Sequence, residues 1–460
     1  MSFFIQVQKI HYISDLPDRK NLNKSLFLKP IVSQLEALLE KTKNRKVVIA
    51  VLGLGRVGLP LASVYGTKGI RVIGVDINQK RVEAVNKGIC PFYDPPLQET
   101  LEKAVKAGNL TAVTTLDEIK ENLDVIFVTV GTPTVDNNVD YSQLNAALDQ
   151  ISTINIKGKM IILRSTMPPS TTTDFIMPFL ESKSEIKAGQ DFGLAVCPER
   201  ILEGQAIREI HELPEIIGGV NKMSNDIATE LFLIINPKKD ILYTTPTGAE
   251  LGKLFANIFR YISFSLANEF AIWSEKYGLD ASELIRIVNY NYPRAKIPIP
   301  GFVGGPCLSK DGMFLDANTT FSSIISSAWK LNESIPQYVV NSIKKYSGNL
   351  FNKKISVLGY SFKAGSDDTR NSPSVKLVDI LKSSGAQVMV HDPYVKSTQD
   401  LSEVLKSTDI VILATNHKEF KDITPKIRAS GCKIVYDVWS VYKKEEFPDI
   451  KYIRFGEGIS

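Results

Sequence analysis

The chain has little of what builds a metal centre or a disulfide framework. Among 460 residues there are four cysteines and four histidines. Cys90, Cys197, Cys307 and Cys432 lie far apart and form no Cys-x-x-Cys pair. That spacing argues against a zinc site or any other metal site, and for a reducing compartment. Long apolar runs are also missing: none reaches the ~18 residues of a membrane span. The opening Met1-Ser2-Phe3-Phe4-Ile5-Gln6 lacks the basic region and cleavage site of a secretory signal, so a cytoplasmic location is expected. Blocks of like charge are absent too. Fifty-five basic and 50 acidic residues are scattered and leave a net charge of +5. Nucleic acid and membrane surfaces are therefore not expected partners, whereas an anionic small molecule is.

What is present is an ordinary globular composition, 43% hydrophobic and 23% charged, at a length that calls for two or three domains. Residues 1–44 read as an N-terminal extension, with Ile31, Leu35, Leu38 and Leu39 spaced as one short amphipathic helix. From Lys46 onward strands and helices alternate. Val47–Leu52, Arg71–Asp76, Val125–Val130 and Met160–Leu163 are apolar runs of the kind found in parallel strands buried on both faces. This predicts a doubly wound α/β unit over 45–240. Pro246 opens a long apolar helix that runs to the Tyr277-Gly278 break, within a helical stretch over 241–345 suited to a subunit interface. A second α/β unit follows over 346–460, with strands at 355–359, 387–392, 410–414 and 434–437. It lacks a full Gly-x-Gly-x-x-Gly, which suits a different nucleotide or none.

Several motifs carry chemistry. Gly53-Leu-Gly55-Arg56-Val57-Gly58 follows a strand and opens a helix, and Asp76 ends the next strand. That is the dinucleotide fingerprint of a Rossmann unit: the glycines admit the pyrophosphate, and the carboxylate accepts from the ribose hydroxyls. Asp76 favours NAD over NADP, although Arg81 nearby could accommodate a 2′-phosphate. Thr132 and Thr166 sit in loops after strands, where hydroxyls can face a ligand crevice or simply cap the loop. Glu199, Arg200 and Glu203 follow another strand. Glu199 is a candidate general base and Glu203 a candidate acceptor for a sugar hydroxyl, with a surface ion pair to Arg200 as the alternative. Glu250, Lys253, Asn257 and Arg260 are spaced to lie along one stripe of the long helix. A buried polar stripe is costly unless paired or ligand-bound, so it marks either a site or a solvated face.

Cys307 sits in Gly301-Phe-Val-Gly304-Gly305-Pro306-Cys307-Leu-Ser-Lys310-Asp311. A lone cysteine is usually a small core residue. Bare glycines and an adjacent lysine equally suit a nucleophilic thiolate. In the second unit, Phe362, Lys363 and Arg370 occupy a strand-to-helix turn, where the two cations could hold diphosphate oxygens.

Taken in order, these motifs resemble the UDP-glucose/GDP-mannose dehydrogenase family over residues 46 to about 445. The resemblance implies two Rossmann-like domains around a long dimer-forming helix. It implies oxidation of a UDP-sugar at C6 to the acid with two NAD, as a step in polysaccharide biosynthesis. Asn257-Ile-Phe-Arg260, Cys197-Pro-Glu199-Arg200 and Tyr292-Pro-Arg294 are similar to the UDP-N-acetylhexosamine branch, and UDP-N-acetyl-D-mannosamine is the expected substrate. Glu203-Gly204-Gln-Ala206 and Cys307-Leu-Ser-Lys310-Asp311 look like the UDP-glucose branch, and Asp437-Val-Trp-Ser440 lacks that branch's arginine. UDP-glucose and UDP-GlcNAc are therefore the alternatives.

The family pattern assigns catalysis to Cys307, Lys253, Asn257, Asp311, Glu199 and Thr166. Cofactor contacts fall to Gly53, Gly55, Arg56, Val57, Gly58, Asp76, Arg81, Thr132, Thr166 and Arg370. Substrate contacts fall to Arg200, Glu203, Lys253, Asn257, Arg260, Arg294, Gly301, Gly304, Phe362 and Lys363. A two-electron hydroxyacid dehydrogenase is a more remote alternative. It needs neither the thiol nor the second α/β unit. A non-catalytic NAD-binding scaffold would not need the Lys253, Asn257 and Cys307 set.

Overall fold

The structure is a computed structural model that describes residues 33–119, 122–135, 138–316 and 323–458. The expectation for the tail before residue 33, Ile31 included, lies outside these. Of the N-terminal stretch, Gln34–Lys43 forms a helix. It buries Leu35 and Leu38 in the first hydrophobic core beside Ile227, Leu231 and Ile235. Lys41 Nζ fixes its end by bonding Asp124 Oδ1 and Oδ2 at 2.7 and 2.5 Å.

The first α/β unit is an eight-stranded sheet. Its strands are β1 (Val48–Leu52), β2 (Arg71–Val75), β3 (Leu110–Val113), β4 (Val125–Val128), β7 (Met160–Leu163), β8 (Gly193–Val196), β9 (Glu215–Gly219) and β10 (Ile241–Tyr243). A small hairpin, β5 (Thr134–Val135) and β6 (Asn138–Val139), stands apart. The order is β10-β9-β8-β7-β4-β1-β2-β3, parallel except where β9 meets β8. The apolar runs are buried on both faces because helices cover both, and the order reverses between β1 and β4. Loops leaving the carboxyl ends of β1 and β4 therefore diverge and leave a crevice.

A 31-residue helix, Pro246–Lys276, comes next. Thr245 caps it by accepting from Gly248 N at 3.0 Å, and proline fills its first turn. At ~1.5 Å per residue it spans roughly 46 Å. It packs along the helix Ser323–Ser347, where Asn268 Nδ2 donates to Asn332 Oδ1 at 3.0 Å in a buried contact.

The second unit is a five-stranded parallel sheet in the order β12-β11-β13-β14-β15. Its strands are β11 (Lys354–Leu358), β12 (Gln387–His391), β13 (Ile410–Leu413), β14 (Ile434–Asp437) and β15 (Lys451–Arg454). It repeats the first unit in detail at its carboxyl edge. Gly53 and Gly359 both have left-handed φ, 92° and 96°. Gly53 N donates to Val75 O at 2.7 Å, and Gly359 N to His391 O at 2.8 Å. A Cβ on either glycine would press on a threonine just past the end of the neighbouring strand, Thr129 or Thr415. The next backbone N–H is taken by an aspartate after the second strand: Leu54 N by Asp76 Oδ2 at 2.8 Å, Tyr360 N by Asp392 Oδ2 at 2.7 Å. The same turn thus serves both units, although only the first carries the full glycine pattern.

Because Leu38 is 4% exposed inside the first core, Leu38→Ala is expected to lower the apparent Tm in a thermal melt, at a cost of about 2–5 kcal/mol. An unchanged melt would show that this helix is not part of the cooperative unit.

Candidate active site

The cradle after β1 is shaped by what its glycines lack. A Cβ on Gly58 would lie 1.9 Å from Gly53 O and 2.3 Å from Thr129 Oγ1, so the helix can approach the strand this closely only without a side chain. A Cβ on Gly55 would meet nothing within 4 Å, which leaves its backbone open on that side. Asp76, 7% exposed, closes the far end and accepts from Leu54 N, from Asn78 N at 3.0 Å and from Arg81 Nη1 at 2.8 Å. A bare turn, a helix start and a fixed carboxylate fit the pyrophosphate and ribose of NAD. Arg81 is held by that carboxylate.

The Arg56 side chain is engaged elsewhere. Its Nη2 bonds Asp367 Oδ1 at 2.5 Å, its Nε lies 3.5 Å from Asp368 and 3.6 Å from Glu203, and its guanidinium stands 4.6 Å from the Phe92 ring centroid. The reason is charge: three carboxylates surround it, so it clasps the two α/β units together. Val57 begins the turn into the helix with no side-chain cap.

The thiol loop is built on the same economy of side chains. A Cβ on Gly305 would lie 2.7 Å from the Phe362 ring, and one on Gly304 2.4 Å from Pro373. Gly305 N donates to Asn371 O at 3.0 Å. A Cβ on Gly301 would strike Trp439 at 2.8 Å, and Gly301 N donates to Asn268 Oδ1 at 2.8 Å. The loop therefore lies flat against the second unit and is anchored to the long helix. Cys307 is open to solvent although protein surrounds it, as a thiol in a cleft would be. Burial pushes its pKa up, and Lys253 and Lys310 pull against that.

Asp311 is wholly buried beneath it. Its Oδ2 accepts from Lys253 Nζ and from Asn257 Nδ2, the latter at 2.6 Å. Its Oδ1 is buried with no hydrogen-bond partner among the described residues. A buried acceptor with a free lone pair is fit to receive a substrate hydroxyl or a water. Lys310 Nζ reaches across to Thr132 O at 2.6 Å and Thr132 Oγ1 at 3.2 Å. Thr132 Oγ1 in turn donates to Thr166 O at 2.5 Å. Burial pushes the Lys310 pKa down. The structure thus brings Cys307, Lys253, Asn257, Asp311, Lys310, Thr132 and Thr166 into one connected set.

The rest of the helical stripe divides. Glu250 accepts from Ser170 N at 2.7 Å, and from Thr172 N and Oγ1 at 2.9 and 2.6 Å, so it secures a loop. Arg260 is exposed. Arg294 is exposed as well, and its guanidinium lies over Tyr292, to whose hydroxyl its Nε donates at 3.0 Å. Among the described residues, neither has a bond to the thiol cluster.

Glu203 and Lys363 join the two units: Lys363 Nζ donates to Glu203 O at 2.6 Å, and Ser366 Oγ to Glu203 Oε2 at 3.2 Å. Burial raises the Glu203 pKa and lowers that of Lys363. Arg370 is held on Asp368, with Nε to Oδ1 at 2.9 Å and Nη2 to Oδ2 at 2.5 Å, while its side chain stays 62% exposed.

Models of one family cover most of this architecture. The NAD binding domain of the UDP-glucose/GDP-mannose dehydrogenase family matches residues 47–236, its central domain 247–338 and its UDP binding domain 356–444. The chain belongs to this family. UDP-N-acetyl-D-mannosamine dehydrogenase of Pyrococcus horikoshii is 34% identical over 419 residues, covering 89% of this chain and 99% of the relative. The enzyme of that name from Campylobacter jejuni is 34% identical, covering 84% and 98%. The solved structure of the Pyrococcus horikoshii UDP-D-ManNAc dehydrogenase superposes with a TM-score of 0.84 at 33% identity, covering 90% of this chain and all of that one. The chain is accordingly an oxidoreductase of the nucleotide-sugar dehydrogenase type, with NAD as its cofactor.

In this dehydrogenase the role expected of Glu199 changes. Arg164, 3% exposed, grips Glu199 Oε2 through Nε at 3.1 Å and through Nη2, and its Nη1 bonds Glu215 Oε1 at 2.9 Å. Glu199 Oε1 accepts from Arg200 N at 2.8 Å and Ile201 N at 3.1 Å. Burial would raise the Glu199 pKa, but Arg164 and the two amides outweigh it and the pKa falls. A saturated, firmly ionised carboxylate is a poor proton acceptor, so Glu199 shapes the Pro198–Ile201 turn. Arg200 spends its Nη2 on Pro214 O. Arg164 belongs to no motif in the sequence: Thr166 stands out two residues later, whereas a cation at the end of a buried strand does not.

Burial pushes Glu215 up to about 7 against the pull of Arg164. A carboxyl whose folded pKa exceeds its unfolded value holds more protons when folded. Its contribution to stability is present in acid and is lost as pH rises from about 4.5 to 7. Glu215→Gln should flatten the fall of Tm with pH across that window. A slope equal to that of the parent protein would refute this assignment.

Proposed function

We propose that this dehydrogenase oxidises C6 of a UDP-N-acetylhexosamine, with UDP-N-acetyl-D-mannosamine the preferred substrate, to the uronic acid through a covalent bond to Cys307. The observation that carries the mechanism is the solvent-open thiol above the buried Lys253–Asp311–Asn257 cluster. The substrate assignment rests on the names of the Pyrococcus horikoshii and Campylobacter jejuni relatives and on Asn257-Ile-Phe-Arg260.

NAD, when bound, supplies the hydride acceptor for both oxidations. Asp311 Oδ1 receives the C6 hydroxyl proton, directly or through a water, as the alcohol carbon gives up its hydride. Cys307 Sγ then adds to the aldehyde carbon, and the carbonyl oxygen takes the thiol proton. Carbon is tetrahedral again: its hydrogen leaves as hydride while its hydroxyl proton passes to Asp311, which has released the first proton to solvent, and the product is a thioester on Cys307. Lys253 Nζ and Asn257 Nδ2 stabilise negative charge on the sugar oxygen in each tetrahedral state. Water held at Asp311 and Thr166 adds to the thioester, the C–S bond breaks and the thiolate leaves. The sum is four electrons removed and one water consumed per acid. Glu203, Lys363 and Phe362 line the side from which the UDP moiety enters. Cys307 must remain a free thiol, which suits a reducing compartment such as the cytoplasm.

The exposed apolar residues of the long helix and its C-terminal cap suggest a homodimer. Phe255, Phe259, Leu266, Trp273 and Tyr277 recur at spacings of 4, 7, 7 and 4 and are 59, 73, 45, 55 and 73% exposed. An apolar stripe this regular is covered by a second copy more readily than by water. Phe259→Glu is expected to halve the mass seen by light scattering, and an unchanged mass would refute this interface.

Assayed with UDP-N-acetyl-D-mannosamine, the protein should form two NADH per sugar. Cys307→Ser should form no acid, and acid production at the parent rate would overturn the covalent route. A panel that includes UDP-GlcNAc and UDP-glucose tests the sugar, since a higher kcat/KM for either would displace the mannosamine assignment.

A further inference from the structure

The loop that carries Thr166 is held by a carboxylate outside the thiol cluster. Glu250 lies on the long helix one turn ahead of Lys253, on the stripe that continues to Asn257. It is 2% exposed. Its hydrogen bonds come from two residues of that loop: Oε2 accepts from Ser170 N, and Oε1 from Thr172 N and Thr172 Oγ1. The neighbouring charge is Asp174, another carboxylate, and among the described residues no cation pairs with Glu250. Burying a carboxylate without a cation is costly, and the donors of this loop are what offset it.

What Glu250 holds is strained. Ser170 has a left-handed φ of 67°, which a residue other than glycine keeps only where its surroundings fix it. The chain then makes a π-type turn over Thr172–Ile176. Pro168 and Pro169 precede Ser170 and restrict φ at both positions, and Thr171 Oγ1 donates back to Pro168 O at 2.7 Å. A short, stiff stretch therefore joins the bonded amide of Ser170 to Thr166. On the other side Thr166 O accepts from Thr132 Oγ1, and Ser165 Oγ donates to Val130 O at 2.6 Å. Thr166 is thus tied to the wall after β4 at one end of its loop and to the long helix at the other.

Adjacent turns of one helix so hold both walls of the cleft. Glu250 holds the Thr166 loop, while Lys253 and Asn257 hold Asp311 beneath Cys307. We infer that Glu250 is a positioning residue for thioester release: it sets Thr166 relative to Asp311, so that one water meets both. This rests on the covalent route proposed above. In the release step the water oxygen bonds the acyl carbon and the C–S bond breaks. One water proton passes to the sulfur and the other to solvent. The two hydride steps of that route use Cys307, Lys253, Asn257 and Asp311 and do not call on Thr166. Loss of the Glu250 carboxylate therefore slows release and spares the oxidations.

Rapid mixing of the full chain with NAD and whichever UDP-sugar of the panel above is turned over best separates the two phases. Glu250→Gln keeps the volume and one acceptor but turns an amide nitrogen toward a backbone N–H of the loop. It is expected to form two NADH per site in a burst at the parent rate, then to settle to a steady rate at least about tenfold lower. Acid-quenched protein should carry the sugar acyl group on Cys307, seen by mass spectrometry of the intact chain and of its Cys307 peptide. Thr172→Val, which removes one donor only, should show the same burst with a smaller fall, and it carries the test if Glu250→Gln does not fold. A merely structural role would lower burst and steady rate together and store no adduct, and that result overturns the inference. So does an unchanged steady rate in both variants. Acid formation by Cys307→Ser would fell the covalent route and this inference together. A parent that depends on Cys307, beside variants that store no adduct, fells this inference alone.

Discussion

The buried ion pair between Lys253 and Asp311 is the contact on which the thiol cleft depends. It joins the long helix to the four-residue helix that follows Cys307, and Asn257 adds a second bond to the same carboxylate oxygen. Neither Lys253 nor Asp311 is more than 6% exposed at its side chain, so Lys253 would be a buried charge without its partner, and Asp311 would be left with Lys310 alone at 4.0 Å. The pair fixes the floor beneath Cys307, and the glycines at 301, 304 and 305 let the loop close down on it. A side chain at any of these three glycines would strike Trp439, Pro373 or Phe362 before the thiol reached its place.

Much of this was legible in the sequence because it was written in short-range patterns. Apolar runs marked β1, β2, β4 and β7, and Pro246 marked the start of the long helix to the residue. The glycine fingerprint and the thiol loop announce themselves by having no side chains where side chains are usual. What the sequence concealed lay in long-range pairing. Arg56 stands inside the fingerprint and reads as a cofactor contact, yet its side-chain partners are more than 140 residues away, at Glu203, Asp367 and Asp368. Glu199 reads as a free carboxylate until Arg164 arrives from a neighbouring strand. Arg260 and Arg294 are drawn into the family pattern by spacing, but within one chain each faces outward. Burial and pairing decide these cases, and neither is a property of spacing.

The repeat of one turn in two units shows how little need change for its use to change. Gly359 and Asp392 keep the backbone of Gly53 and Asp76 almost bond for bond. One inserted imidazole, His417, spends the second aspartate on the protein itself. The scaffold is retained and the carboxylate is withdrawn from ligands.

Lys310 bonds the carbonyl and hydroxyl of Thr132, on the loop after β4, while standing three residues from the thiol on the opposite wall. Two walls sharing one cation cannot relax independently. Whatever loads the crevice beside Thr132 also resets the field at the sulfur, and by reciprocity a modified sulfur alters how the crevice reloads. A catalyst that must exchange its oxidant while a half-finished product is tethered to it has use for such a coupling. On the covalent route proposed for Cys307, the tether itself would signal that the second loading is due.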